Sequence, residues 1–532
     1  MAGVAVDVGN RVECDGALGT VKWIGEVPST QGVWYGVDWD DENRGKHDGT
    51  HNGIKYFETQ YPKSGSFVRP TKVSCGMTLE AAVRGRYQDD PTIETHVTDM
   101  LQKTINARFV EVVGMEKIGK KQSKLEELET VVLDGWMVWG AGNSDLAKLL
   151  PRLQDLDISN TLLSSWESIA QITRQLPSLR FLNISGNKLK LPNNPDELQE
   201  SVCHITHLVL NNMKGYTWSD LMTCCVMFPT LRKLQIAFNK LCKLGPVPVG
   251  LFDSLEEIDI GVNPICSWEE VCHLGTIPRL ESLNVNNCQL KKVVFPSVPV
   301  NEKTKLFPNL KNLMIANNPL EAWESVGELN KLQNIEDLVI SYDENITLYF
   351  QEFAFARISN LKVLNRTRLT PKEKRDCELF YLKSFSEDYY SSGGTEDPSA
   401  SHLSQEFTLK HPTFLKLVEE YGAPVDETKH RSQKSQKLRD LKIELKILTP
   451  DNAEREPIVK SFLPTTKISK VKMMLKRQLK INPAAHINLS YCPTKAILWQ
   501  SSTVFEIPMD NDMKEMDFYS IVSGDTLMVR WQ

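Results

Sequence analysis

Histidine and cysteine are the residue types best suited to metal binding or nucleophilic catalysis, and in this chain they are scattered. His204 and His207 lie close together and His273 follows Cys272, but no third or fourth ligand follows at a metal-site spacing. We therefore expect structural roles for these histidines, and no metal or other cofactor. A phosphate-binding loop, a nucleophile elbow and a zinc-protease motif are all missing. The chain is not expected to be an enzyme, although a cysteine hydrolase with distant cysteine and histidine residues stays open.

Length and charge limit the class of protein further. A chain of 532 residues is too long for one core, which predicts about three to four domains. The net charge of −6 argues against nucleic-acid binding. We expect no membrane span, because no apolar run reaches about 20 residues, and no secretory signal at the N-terminus. The 11 cysteines form no CxxC pair, which indicates reduced thiols in a cytoplasmic protein.

Short β-type runs separated by glycines predict a small all-β barrel at the N-terminus. Two such runs cover residues 20–24 and 33–37. The aromatic residues of this segment could simply form its core. A domain of about 70 residues needs few core aromatics, however, so some of them are expected to line an exposed groove. These aromatics are Trp23, Trp34, Trp39, Tyr56 and Phe57.

Four ordered motif blocks in this segment resemble the CAP-Gly domain. They are Gly16-x-x-Gly19-Thr20-Val21, Gly32-x-Trp34-x-Gly36-Val37, Gly45-Lys46-His47-Asp48-Gly49 and Lys55-Tyr56-Phe57. The resemblance implies binding of acidic peptide tails that end in Glu-Glu-Tyr or a related aromatic. Lysine would attract the carboxylates, backbone N–H groups would bind them, and aromatic side chains would hold the terminal ring. The residues expected to bind the tail are Trp34, Lys46, His47, Phe57, Phe67 and Arg69.

Two positions depart from the CAP-Gly pattern. His47 stands where the family has an asparagine that helps to hold the ligand carboxylate, and Pro28-Ser29-Thr30 stands where family members often place an aromatic. We expect a modest affinity for the tail, or an altered choice of partner.

The middle of the chain carries a repeated aliphatic pattern. Leu153-x-x-Leu156-x-Ile158 recurs at intervals of 24 to 30 residues, in or near the range of leucine-rich repeats. An asparagine follows the strand in several copies, where its side chain can bond the backbone of the turn. The pattern predicts an α/β leucine-rich-repeat solenoid. Its copies begin at Leu128, Leu153, Leu179, Ile205, Leu231, Leu255, Leu280, Leu310, Ile335 and Leu361.

A tryptophan follows the start of every second repeat by thirteen residues, at Trp166, Trp218, Trp268 and Trp323. We interpret these tryptophans as packing between neighbouring coils, each at the start of a short convex-side helix. Function in a solenoid usually belongs to the strand residues that point away from the core. This row is mixed and polar, which suits a protein partner. The expected partner contacts are Asp155, Asp157, Phe181, Lys233, Glu257 and Asp259.

The C-terminal part predicts an α+β domain. Alternating runs at 442–447 and 458–463 form a hairpin, residues 466–479 form an amphipathic helix, and further strands follow. This order resembles ubiquitin-like (β-grasp) domains. The chain ends without the Gly-Gly tail used for conjugation, so we expect an interaction module. Residues 361–375 resemble the C-terminal cap that follows intracellular leucine-rich repeats.

Together these observations predict five segments. They are a CAP-Gly domain (1–80), a linker with the solenoid N-terminal cap (81–124), the solenoid with its C-terminal cap (125–383), a linker (384–440) and a ubiquitin-like domain (441–532). This order resembles the tubulin-folding cofactor E family. The resemblance implies a monomeric cytoplasmic, cytoskeleton-associated chaperone that binds α-tubulin and acts with cofactors B, C and D on the αβ-tubulin heterodimer. A proteasomal partner for the last domain stays open. The alternative is a microtubule-associated CAP-Gly adaptor without chaperone activity.

Overall fold

The computed structural model describes residues 6–28, 30–88, 124–143, 145–300, 302–320, 323–341, 349–425, 442–450, 455–492, 506–519 and 521–531. Residues 106–113, whose alternating sequence predicts a strand, lie outside these ranges. The expected fold class is confirmed, since a small all-β domain, an α/β solenoid and an α+β β-grasp domain follow one another along the chain.

An antiparallel sheet forms the N-terminal domain, and glycine allows its close packing. A Cβ atom on Gly36 would lie 2.5 Å from the Phe57 ring, so a larger residue would displace that ring. A small core that includes Val12, Val21 and Trp39 lies within the domain. The strands, in spatial order, are Arg11–Cys14, Ala17–Glu26, Val33–Trp39 and Gly65–Val68, with a separate hairpin of Thr50–His51 and Ile54–Lys55.

The solenoid is built on an 11-stranded sheet with one short strand per coil. In each three-residue strand the middle side chain is buried, which is the reason for the aliphatic residue three positions into every repeat. The parallel strands are Thr130–Val132, Asp155–Asp157, Phe181–Asn183, His207–Val209, Lys233–Gln235, Glu257–Asp259, Ser282–Asn284, Asn312–Met314, Asp337–Val339 and Val363–Leu364, and Thr367–Arg368 closes the sheet antiparallel.

Buried asparagines bond the backbone of their own turn, as predicted, and also join neighbouring coils. The side-chain oxygen of Asn263 accepts hydrogen bonds from the backbone N–H groups of Asn239 and Leu241, at 2.9 and 3.1 Å. Its amide nitrogen donates to the carbonyl oxygens of Ile236 and Ile260. One side chain thus satisfies backbone groups of two coils that would otherwise be buried without partners. Related bonds to neighbouring coils are made by Asn187, Asn239 and Asn318.

The four periodic tryptophans each begin a helix, which confirms that prediction. Trp166, Trp218 and Trp268 are buried in the solenoid core, and Trp323 packs against its edge. Serine or threonine caps three of these helices by accepting a backbone N–H bond. The helices are Trp166–Thr173, Trp218–Cys225, Trp268–Cys272 and Trp323–Leu329. Leu146–Leu149, Pro195–Val202 and Phe350–Arg357 are the other helices of this part.

Helices cover both ends of the solenoid core. Helix Leu79–Tyr87 buries Leu79, Ala82 and Val83 against the first coils, so the cap begins inside the segment assigned to the first domain. Helix Pro371–Ser384 follows the last coil. Its capping box, formed by Thr370 and Glu373, fixes its first turn.

The prediction of a linker over 384–440 is wrong for the part up to residue 425, which is folded. Short helices Ser386–Ser391, Gln405–Lys410 and Phe414–Tyr421, with the 3-10 turn Pro398–Ala400, fold against the capping helix. Tyr389 is fully buried, and its hydroxyl donates to the carbonyl oxygen of Thr395 at 3.0 Å. Gly394 lies against the Tyr389 ring, where a Cβ would come within 2.5 Å. The glycines of this segment therefore serve close packing. Residues 426–441 lie outside the described ranges.

The C-terminal domain has the β-grasp topology that the sequence predicts. Helix Ile468–Leu479 packs on the mixed sheet through Ile468, Val471 and Leu475. The ring of Phe518 lies 5.1 Å from that of Phe380 on the capping helix, so the core of this domain continues into the end of the solenoid. The strands, in spatial order, are Ile458–Phe462, Ile443–Leu448, Thr526–Trp531, Ile487–Cys492 and Ile507–Pro508, and a 3-10 turn covers Met516–Tyr519.

Candidate functional site

Phe67 lies at the centre of a group of aromatic rings in the N-terminal domain. Its ring centroid is 5.1 Å from that of His47, 5.3 Å from Tyr56, 5.5 Å from Phe57 and 5.7 Å from Trp23. Three of these contacts are edge to face, a favourable arrangement for aromatic pairs. Phe57 is only 6% exposed, whereas the other four side chains are half-buried. The group forms a partly open apolar surface on which another aromatic ring can pack.

The loop that carries Lys46 is held beside the strand of Phe67. The backbone N–H groups of Lys46 and His47 both donate to the carbonyl oxygen of Gly65, at 2.7 and 3.2 Å, and Gly65 returns a bond to His47 at 2.8 Å. The Lys46 side chain is exposed. This places a positive charge next to the aromatic surface. The backbone N–H groups expected to bind a ligand carboxylate are, at these two positions, already used within the domain.

His47 is a neutral hydrogen-bond acceptor in this loop. Its Nδ1 atom accepts a bond from the backbone N–H of Gly49 at 3.0 Å, which requires an unprotonated nitrogen there. Burial and the neighbouring His51 lower the pKa of His47, while Asp48 raises it by less. Of these two neighbouring side chains, the lysine is therefore the one that carries a positive charge. The imidazole orients the loop and packs against Phe67.

Trp34 and Arg69 form a second pair on the same face of the sheet. The guanidinium carbon of Arg69 lies 3.8 Å from the Trp34 ring centroid, a cation–π contact. The indole nitrogen of Trp34 donates to the Thr30 hydroxyl at 2.8 Å. Because Gly36 pairs with Phe67 and side chains alternate along a strand, positions 34 and 69 project to the side on which Phe67 lies. The six residues expected to bind the tail thus belong to one region of the domain.

Three members of this region were not among the expected binding residues. The sequence places Trp23 and Tyr56 among the aromatics that form either the core or an exposed groove, without assigning them to tail binding, and it does not single out His51. His51 lies 5.9 Å from the Phe67 ring. Trp23 pairs with Gly36 across the sheet, and that pairing depends on a β-bulge between Val21 and Trp23. The motif spacing contains no sign of such a bulge.

The predicted concave residues divide into two rows with different surroundings. The first strand position forms a continuous row, because the parallel strands are in register. Phe181 and His207 meet edge to face with centroids 4.6 Å apart, and Lys233 pairs with Glu257 at 2.8 Å. His207, for which the sequence predicts a structural role, is a half-buried member of this row. The row runs through Asp155, Phe181, His207, Lys233 and Glu257.

The third strand position serves the solenoid itself. Asp157 accepts bonds from the backbone N–H of Ser159 at 2.9 Å and from the amide of Asn183 at 2.8 Å. Asp259 accepts the N–H of Gly261 at 2.8 Å, and burial raises its pKa. The bonds to Ser159 and Gly261 form Asx turns that shape the chain after these two strands. Asp157 and Asp259 therefore have structural roles that the alternation of the strand did not reveal.

The buried thiols have surroundings unlike those of a nucleophile. Burial raises the pKa of Cys224 to about 12 and that of Cys288 to about 11, whereas a nucleophilic cysteine needs a lowered value. Among the described residues, no group of three or more His, Cys, Asp or Glu side chains could hold a metal ion. No helix within the described ranges is long and apolar enough to cross a membrane.

Comparison with known proteins gives matches to each end of the chain and to nearly its whole length. The CAP-Gly domain family matches residues 8–73. Tubulin-specific chaperone E of Danio rerio is 36% identical over 532 residues, covering 98% of this chain and 99% of the relative. The human protein of the same name is 33% identical over 530 residues, covering 98% of each chain. The C-terminal ubiquitin-like domain of mouse tubulin-specific chaperone E is 32% identical, covering 19% of this chain and 94% of that structure, with a TM-score of 0.16.

Identity at this level along almost the whole length of both chains indicates common descent. The domain order expected from the motifs and repeats agrees with it, from the CAP-Gly match at the N-terminus to the β-grasp sheet at the C-terminus. This chain belongs to the tubulin-specific chaperone E family.

Proposed function

We propose that this chain is a tubulin chaperone that holds α-tubulin at two surfaces. The CAP-Gly domain binds the acidic C-terminal tail, and the concave row of the solenoid binds the folded body. With other tubulin cofactors, the expected ones being B, C and D, it assembles or separates the αβ-tubulin heterodimer. We place this activity in the cytoplasm, in association with the cytoskeleton, and assign it to a monomer.

The observation that carries the proposal is the partly exposed ring of Phe67 beside the exposed amine of Lys46. A peptide that ends in an aromatic residue presents a ring, a terminal carboxylate and acidic neighbours close together. The aromatic surface suits the ring, and Lys46 suits the carboxylates. Arg69, stacked on Trp34, adds a second positive group on the same face. This pairing of apolar and basic chemistry supports tail recognition.

We assign binding of the folded body of tubulin to the concave row. This row contains Asp155, Phe181, His207, Lys233 and Glu257. The row combines opposite charges with an aromatic ring, and such surfaces favour specific protein partners. The C-terminal domain is assigned a separate partner, either a ubiquitin-like cofactor or the proteasome. One side of this domain already packs on the capping helix through Phe518, so the partner binds elsewhere on it.

Peptide binding tests tail recognition. The full-length chain is titrated with a peptide that ends in Glu-Glu-Tyr and with the same peptide lacking its tyrosine. We expect the complete peptide to bind with modest affinity and the truncated one to bind at least roughly tenfold more weakly, since it loses the ring contact. Equal binding of both peptides would mean that the terminal aromatic is not recognised.

A further inference from the structure

A cleft lies where the CAP-Gly domain meets the solenoid. The Nζ atom of Lys188 lies 3.3 Å from the Asp40 carboxylate and 2.9 Å from the side-chain oxygen of Gln60. Lys214, from the next coil, lies 3.6 Å from the same carboxylate. Tyr61, Phe238 and Lys240 also line the cleft.

The cleft is basic. Asp40 also pairs with Arg11 of its own domain, so this single carboxylate is surrounded by three cationic groups. Lys240 adds another exposed ammonium group from the following coil. Burial alone would raise the pKa of Asp40, but Arg11 and the two lysines hold it below its usual value, so the carboxylate stays ionised. Positive charge still exceeds negative charge among these residues, which favours an acidic ligand.

An exposed aromatic side chain at a strained position borders this basic surface. The residue seven positions after the repeat start has a positive φ in eight coils of the described chain, and asparagine or glycine occupies most of these positions. They are Gly135, Asn160, Gly186, Asn212, Phe238, Val262, Asn287 and Asn317. Phe238 and Val262 are the exceptions in this row, and they lie in adjacent coils.

Both exceptions are unfavourable for the isolated fold. A bulky or β-branched residue is strained at positive φ, where asparagine or glycine is tolerated. Phe238 is also 55% exposed and Val262 is 37% exposed, so packing within the chain offsets little of this cost. Strained backbone positions in proteins cluster where ligands bind. The pair therefore points to a contact outside the chain.

A short hydrogen-bonded turn connects the lining of the cleft to the Lys46 loop of the CAP-Gly domain. Gln60 and Tyr61 line the cleft, and the turn that follows them reaches Gly65 through a bond from Ser64 N–H to the Tyr61 carbonyl oxygen. Gly65 in turn accepts the backbone N–H of Lys46. A short turn thus separates the Lys46 loop from the solenoid lysines.

We propose that this cleft binds the acidic stretch that precedes the terminal aromatic of a tubulin tail. The CAP-Gly domain holds the end of the peptide. Lys188, Lys214 and Lys240 bind its preceding carboxylates, and Phe238 packs against its backbone and methylene groups. This inference rests on the proposed function, since it extends the same tail beyond the CAP-Gly domain. In this proposal the solenoid contributes residues to the tail-binding site.

The test compares two peptides on the full-length chain. The short peptide ends in Glu-Glu-Tyr, and the long peptide carries about six additional acidic residues before it, enough to span roughly 20 Å when extended. We expect the long peptide to bind roughly tenfold tighter at low salt. Lys214→Glu/Lys240→Glu should remove this gain and leave the short peptide unchanged. The matched control, Lys291→Glu/Lys292→Glu, changes two exposed lysines outside the cleft lining and should retain most of the gain.

Phe238→Asn gives an independent readout. Asparagine suits positive φ, so this variant should have a Tm equal to or higher than the wild type while it binds the long peptide several-fold more weakly. If the cleft variant keeps the full gain of the long peptide, the inference is wrong while CAP-Gly recognition of the short peptide stands. If the wild type binds neither peptide, the proposed tail recognition fails and the inference fails with it.

Discussion

The ring of Phe67 stands edge-on to that of Phe57 with their centroids 5.5 Å apart, and of the two only Phe57 is buried. Substitutions of the two rings should therefore separate the effect on tail binding from the effect on stability. Phe57→Ala removes a buried ring and should destabilise the N-terminal domain by about 3–5 kcal/mol. Phe67→Ala removes a half-exposed ring and should weaken tail binding roughly tenfold with a smaller loss of stability.

Thermal unfolding and peptide titration of both variants check this pair. Phe67→Ala is the informative variant, because its fold should persist at the temperature of the titration. Wild-type affinity of Phe67→Ala for the aromatic-ended peptide would show that the ring site lies elsewhere.

We expect His47 to make a pH-dependent contribution to the stability of the N-terminal domain. Its pKa in the folded domain lies below the ordinary value of 6.5, so the unfolded state binds more protons in the interval between the two values. The stability contribution is thus fully present above pH 6.5 and is lost as pH falls below it, when the proton displaces the N–H of Gly49 from Nδ1. The Tm of the wild type should fall more steeply with decreasing pH than that of His47→Asn. Parallel curves would contradict this role.

The same variant tests the departure from the family motif. Asparagine restores the amide of the CAP-Gly pattern, so His47→Asn should bind the tail peptide as well as the wild type or better. A large loss of affinity at pH 7 would mean that the imidazole itself makes an essential ligand contact.

Lys46→Ala should weaken tail binding by roughly three- to tenfold, because an exposed lysine–carboxylate contact is worth little in water. Added salt should reduce the difference between wild type and variant, since it screens the lost attraction. Lys72→Ala, at an exposed lysine outside the aromatic group, is the control. Equal effects of the two substitutions would indicate general charge attraction in place of a defined contact.

We expect substitutions in the two rows of the concave face to have different effects. Asp155→Lys/Glu257→Lys reverses charges in the first row and should slow association with tubulin while the Tm changes little. Asp157→Ala instead leaves the Ser159 N–H and the Asn183 amide without an acceptor, and should cost about 1–3 kcal/mol of stability. Association rates and unfolding curves separate the two effects. Unchanged association of the Asp155/Glu257 variant would exclude this row as the tubulin contact.

Regular patterns in the sequence were sufficient to predict much of the fold. The repeat spacing predicted the strands and the roles of Asn263 and Trp268, because each coil must bury the same positions. The packed segment around Tyr389 was missed, since its serines and glycines resemble those of a linker. Only the folded chain shows that Gly394 makes room for the Tyr389 ring.

Contacts between distant segments could not be predicted in the same way. Lys188 and Asp40 are 148 residues apart, and neither stands out in its own motif. The strain at Phe238 also depends on backbone φ, which becomes visible only when the coils are aligned in space. The motif spacing predicted the region of the tail site, while the bulge beside Trp23 and the cleft required the structure.

Tubulin heterodimer mixed with the full-length chain gives the most direct test of chaperone function. The mixture is separated by size-exclusion chromatography, and the mass of each complex is measured by native mass spectrometry. We expect a complex that contains this chain and α-tubulin without β-tubulin. Binding only to intact heterodimer, or decoration of microtubules without any free-subunit complex, would contradict the chaperone function and favour a CAP-Gly adaptor.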